Sequence, residues 1–100
     1  MHSIRISEDA YFDIEEMFAH LSQDNKKAAN ELRQKIYNEI KELQDFPFRH
    51  PVVQEEDAPG VARGYRYIIM SPYIVFYRVL DYSTVIARVL HLKQNWLRFL

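Results

Sequence analysis

The stretch between positions 65 and 92 fixes most of what this chain can become. Three runs rich in β-branched and aromatic residues, at 65–70, 73–80 and 84–92, are separated only by the turn-forming segments SPY and DYS. Connections this short join neighbouring antiparallel strands, so the spacing predicts consecutive hairpins and an antiparallel sheet. In the last strand, simple alternation puts Val85, Ala87, Val89 and His91 on one face and Ile86, Arg88, Leu90 and Leu92 on the other.

Two helices are predicted ahead of that sheet. The opening SIRIS alternates Ile4 and Ile6 with Ser3 and Arg5, which suits a short first strand. Ser7 then stands as an N-cap, and Glu8 and Asp9 follow in the first turn, where the helix dipole favours negative charge. A helix over 8–22 puts Ala10, Ile14, Met17, Phe18 and Leu21 on one stripe, Tyr11 at its edge and Phe12 nearly opposite. Asp24 or Asn25 can cap a second helix. Its stripe of Ala28, Ala29, Leu32, Ile36, Ile40, Leu43 and Phe46 runs to Pro47, with Tyr37 off it.

The SQDN link is short enough to fold these helices into an antiparallel hairpin. Residues 47–62 carry three prolines and no sustained periodicity, and read as a long connection over the surface. The fold class expected is α+β in the order β-α-α-β-β-β: a helical hairpin on one face of a mainly antiparallel sheet, all within one domain spanning 1–100.

Composition narrows the function classes. With only two glycines and nearly half the residues hydrophobic, the chain should be well ordered. It has no cysteine, so a disulfide framework and a thiol nucleophile are excluded. His2, His20, His50 and His91 lack metal-ligand spacing, and neither a metal nor another cofactor is expected. No apolar run approaches a membrane span and the first residues do not read as a signal peptide, so no membrane association and a cytoplasmic location are expected.

The net charge of −1 conceals a split: beyond Asp57 the only acid is Asp81, whereas Arg63, Arg66, Arg78, Arg88, Lys93 and Arg98 all lie there. Either the basic part serves an anionic partner or the two parts attract each other within the fold. No Gly-rich phosphate loop, nucleophile elbow or H-E-x-x-H is present. His91 with Arg66 and Arg88 would be a chemically sensible kit for metal-free RNA cleavage, the imidazole moving a proton and the guanidiniums stabilising the phosphorane. Equally, His91 can simply finish its strand. Arg78 can lay its stem over apolar surface, and Trp96 can pack the tail against the sheet. Interleaved Gly and aromatic repeats are missing, so no direct sequence-specific nucleic-acid binding is expected.

Three segments, SEDAYFDIEEMFAHL, AANELRQKIYNEIKELQDFPFRHP and above all GYRYIIMSPYIVFYRVLDYSTVIARVLHLKQNW, together resemble the RelE/ParE superfamily of type II toxin-antitoxin toxins. The resemblance covers nearly the whole chain. It implies a small toxin neutralised by a cognate antitoxin, acting either as a ribosome-dependent mRNA endonuclease, like the RelE branch, or on DNA gyrase, like the ParE branch. Where RelE-like nucleases typically carry an arginine early in the third strand, this chain has Ile74, and no tyrosine follows its last strand.

PYIVFYRV followed by RVLH is closer to the ParE-like pattern, in which a histidine usually ends the last strand. The resemblance therefore implies a gyrase inhibitor whose target contacts fall at Lys93, Gln94, Asn95 and Trp96. An acidic antitoxin segment would suit Arg63, Arg66, Arg78 and Arg88, with apolar anchors on the helical hairpin near Phe12 and Tyr37. In the nuclease alternative the catalytic set is His91, Arg66 and Arg88.

Overall fold

A computed structural model of the chain describes residues 3–100; His2, one of the four scattered histidines, lies outside them. Strand β1 (Ser3–Ile6) leads directly into helix α1 (Glu8–Ser22). Ser7 makes the change of backbone, extended at φ −62° and ψ 157°, and its Oγ accepts from the Ala10 N–H at 3.0 Å. Asn25 caps α2 (Lys26–Glu42) in the same way, accepting from the Ala28 N–H at 3.0 Å. Residues 23–25 fold α2 back against α1, and Arg33 lies over the Phe18 ring at 3.7 Å.

Strands β2 (Arg66–Met70), β3 (Tyr73–Val79) and β4 (Ser83–His91) form the expected hairpins. The sheet order is β1-β4-β3-β2. The first strand runs parallel to the last, Ser3 opposite Ser83 and Ile6 opposite Ile86, so the sheet is mixed. The helices cover one face, where Ile14, Ile36 and Leu43 are fully enclosed against Val75, Tyr77 and Ile86. Each such side chain contributes roughly 2 kcal/mol relative to exposure.

Alternation does not persist along β4. Phe76 pairs with Arg88, but the next residue, Tyr77, pairs with Ile86, which leaves Ala87 as the extra residue of a β-bulge. Ile86 and Val89 consequently both reach the helix-side core, while Leu90 faces the other way. A bulge inserts one residue into a period of two, so the faces read from the sequence change places partway along the strand.

The second face is covered as well. Val53, Ala58 and Ala62, from the long connection, are buried against Ile74, Phe76 and Leu90, with Trp96 and Leu100 packed beside them. Val52 bridges to Arg66, and the Val53 N–H donates to the Tyr65 carbonyl at 2.8 Å. The connection is therefore a second core layer, which widely spaced small residues do not announce as a period. Two members of the expected α2 stripe also lie elsewhere: Ala28 is exposed in the first turn, and Phe46 is 58% exposed because the helix ends at Glu42 before reaching it.

Candidate functional site

The expected arginines are distributed between internal fastening and open surface. Arg88 is fastened. Its Nε and Nη2 donate to the two carboxylate oxygens of Asp13 at 2.7 and 2.8 Å, and the Val89 N–H donates to the same carboxylate at 2.9 Å. Ser7 closes the other side of the bulge, its Oγ donating to the Ala87 carbonyl at 2.8 Å. The backbone groups freed by the bulge are thus satisfied by α1 and its cap. The Asp13 hydrogen bonds raise the Arg88 pKa further above its ordinary value, keeping the guanidinium charged.

Arg66 is fastened too. Its Nη1 donates to the His50 carbonyl at 2.6 Å, which ties the chain leaving α2 to β2. Beside it the Tyr77 hydroxyl donates to the Pro47 carbonyl at 3.0 Å, and burial pushes the Tyr77 pKa above the ordinary tyrosine value. Arg63 and Arg78 are exposed, and among the described residues neither forms a salt bridge.

His91 ends β4. Its Nδ1 accepts from the Lys93 N–H at 3.1 Å, while its own N–H donates to Gln94 Oε1 at 2.8 Å, closing a tight turn. An Nδ1 that accepts from the backbone puts the imidazole proton on Nε2. The ring stands edge-on to Tyr73, centroids 5.2 Å apart. Trp96 lies on Phe76 at 5.1 Å, and Arg88 lies 5.0 Å from the Phe99 ring, so both faces of the tail are pinned. Lys93 and Asn95 are exposed on this pinned turn, and Gln94, also exposed, turns its amide oxygen back to the His91 N–H. Between the turn and α1 is an open cleft of about 480 Å³, bordered by Glu16, His20, Tyr73, His91, Gln94 and Phe99.

Of the three residues in the nuclease alternative, Arg88 and His91 both border this cleft, and Arg66 does not join them. Arg66 stands opposite Tyr77 and His91 opposite Tyr73 on β3, so ~13 Å along the strands and two strand spacings separate them. Phe12 is 69% exposed on the outer side of α1, whereas Tyr37 is half-buried against the main core and its hydroxyl pKa is raised by that burial. Asp13 was not singled out by sequence: one carboxylate among fourteen acidic residues, it meets its partner only in the folded chain. Among the described residues no cluster of three His, Cys, Asp or Glu suits a metal, and no helix is long and apolar enough to cross a membrane.

Comparison with known proteins agrees with this architecture. The chromosomal ParDE toxin-antitoxin system of P. aeruginosa contains a chain that superposes with a TM-score of 0.71 at 20% identity, over 91% of this chain and 96% of that one. The conserved hypothetical protein HP0894 of Helicobacter pylori gives a TM-score of 0.55 at 17% identity, over 91% and 94%. At these identities both likenesses concern the fold. No match was found among curated proteins. The family model for the ParE toxin of the type II toxin-antitoxin system parDE matches residues 4–96, almost the whole folded unit with its bulged last strand and pinned turn, and the chain belongs to the ParE toxin family.

Proposed function

We propose that the protein arrests bacterial growth from the cytoplasm by engaging DNA gyrase with the turn after β4, and that a cognate antitoxin neutralises it. Lys93, Gln94 and Asn95 are the contacts, and Trp96 holds them in place from beneath. The observation that carries this reading is the engagement of His91 Nδ1 by the Lys93 N–H. An imidazole used that way serves the geometry of the turn. With Arg88 closed by Asp13, and Arg66 held by backbone carbonyls away from His91, the two guanidiniums of a nuclease set are occupied. No cofactor is invoked.

The test is expression from a tightly controlled promoter, with incorporation of labelled thymidine and labelled methionine followed in parallel over the first minutes. DNA synthesis is expected to fall while translation continues. Translation collapsing first would overturn the gyrase reading in favour of a ribosome-dependent endonuclease.

A further inference from the structure

Both glycines of the chain fall in one turn, Gly60 at φ 79° and Gly64 at φ 80°, and Arg63 between them shares the left-handed region at φ 31°. A non-glycine residue holds such a backbone only where its surroundings fix it. Here they do. Ala58 and Ala62 are buried beneath the turn, the Gly60 N–H donates to Glu55 Oε1 at 2.8 Å, and the Tyr65 N–H donates to the Ala62 carbonyl at 2.7 Å. Arg63 Nε donates to the Gly60 carbonyl at 3.0 Å, which leaves its two terminal nitrogens for another acceptor.

Arg78 reaches the same place from β3, its guanidinium 5.4 Å from the Tyr65 ring centre. The two arginines border one concavity of about 290 Å³, together with Val61, Tyr65 and Leu100. Of the nearby acids, Glu55 holds the Gly60 N–H, and Asp9 borders an adjoining hollow with Arg78 without forming a salt bridge to it. Two exposed guanidiniums, neither in a salt bridge among the described residues, thus stand beside the apolar side chains of Val61 and Leu100 and the Tyr65 ring.

We infer that Arg63 and Arg78 form a carboxylate-binding site for an acidic peptide segment, whose aliphatic side chain sits against Val61 and Tyr65 between two acidic contacts. The guanidinium fork matches a carboxylate, and the apolar floor suits a side chain between charges. A nucleic-acid strand would call for a longer track of cations than two, on a chain whose net charge is −1. Identifying the segment as part of the antitoxin rests on the function proposed above; the carboxylate site itself does not.

The test is fluorescence anisotropy with a short fluorescein-labelled peptide in which glutamates flank a central leucine. Its glutamine counterpart and a labelled single-stranded DNA serve as comparisons. The acidic peptide is expected to bind in low salt, and Arg63→Gly and Arg78→Ala each to weaken it at least about tenfold. Glycine adopts φ 31° without strain, so Arg63→Gly should melt no lower than the parent chain and its loss of binding cannot be attributed to unfolding. Peptide binding unchanged in both variants, or DNA binding more tightly than the peptide, would overturn the site. A failed peptide test with growth arrest intact would remove the site and leave the toxin reading standing. Peptide binding without growth arrest would do the reverse.

Discussion

Asp13, midway along the first helix, and Arg88, on the bulge of the last strand, meet through two hydrogen bonds of 2.7 and 2.8 Å across 75 positions of sequence. Because the same carboxylate takes the Val89 N–H, its removal leaves a sheltered guanidinium and a backbone donor without partners. Asp13→Ala is expected to cost about 3 kcal/mol in urea denaturation, and Asp13→Asn less, since an amide oxygen still accepts from Val89. The Asp13→Ala/Arg88→Ala double variant should lose clearly less than the sum of the single ones, because no charge is then stranded.

His91 separates a structural role from a chemical one. Asparagine at this position can offer an acceptor to the Lys93 N–H but cannot relay a proton. His91→Asn is therefore expected to retain growth arrest, and His91→Ala to weaken it by loosening the turn. Loss of toxicity in the asparagine variant, with its melting temperature unchanged, would argue for proton transfer.

The tail invites a similar separation between contact and support. Trp96→Ala uncovers Phe76 and should cost about 2 kcal/mol, less than a fully buried tryptophan, because the ring is half-exposed. Lys93→Ala and Asn95→Ala touch only exposed side chains. They should leave the melting temperature within a degree or so while reducing growth arrest. Full toxicity in the combined Lys93→Ala/Asn95→Ala variant would rule out the turn as the target contact.

Alkaline pH should act through buried tyrosines. Burial raises the pKa of Tyr77, and also of Tyr73, so the folded state resists their ionisation more than the unfolded chain does. The resulting stability is fully present below the ordinary tyrosine value of 10.0 and is lost as pH rises through the folded-state value. Tyrosinate absorbance should show this pair ionising late, with the melting temperature declining over the same range. Tyr77→Phe should remove its share of that decline and cost about 1 kcal/mol at neutral pH, through the bond lost to Pro47.

Local signals were legible where they depend on neighbours in sequence. Ser7 and Asn25 cap the helices as their types and positions indicate, and the short turns between the strands gave the hairpins. What stayed hidden depends on distant partners. Nothing near Ala87 marks it as a bulge, because the groups that stabilise the irregularity come from Ser7 and Asp13. Similarly, Val53, Ala58 and Ala62 look like loop residues until the second face of the sheet is present to receive them. Of the four arginines grouped by charge, Arg66 and Arg88 proved to be partly buried and tied to distant parts of the chain while Arg63 and Arg78 stay exposed, a distinction that charge patterning does not contain.

The pairing of the first strand with the last sets an order of events. Ser3 lies opposite Ser83, so β1 has no strand to join until β4 has been made. The helices can form as they emerge, but β1 must wait for a partner that is distant in sequence. A chain that stops short of β4 therefore lacks both the seam that joins β1 to the sheet and the turn that follows β4. Any activity that needs that turn waits for β4 to be made.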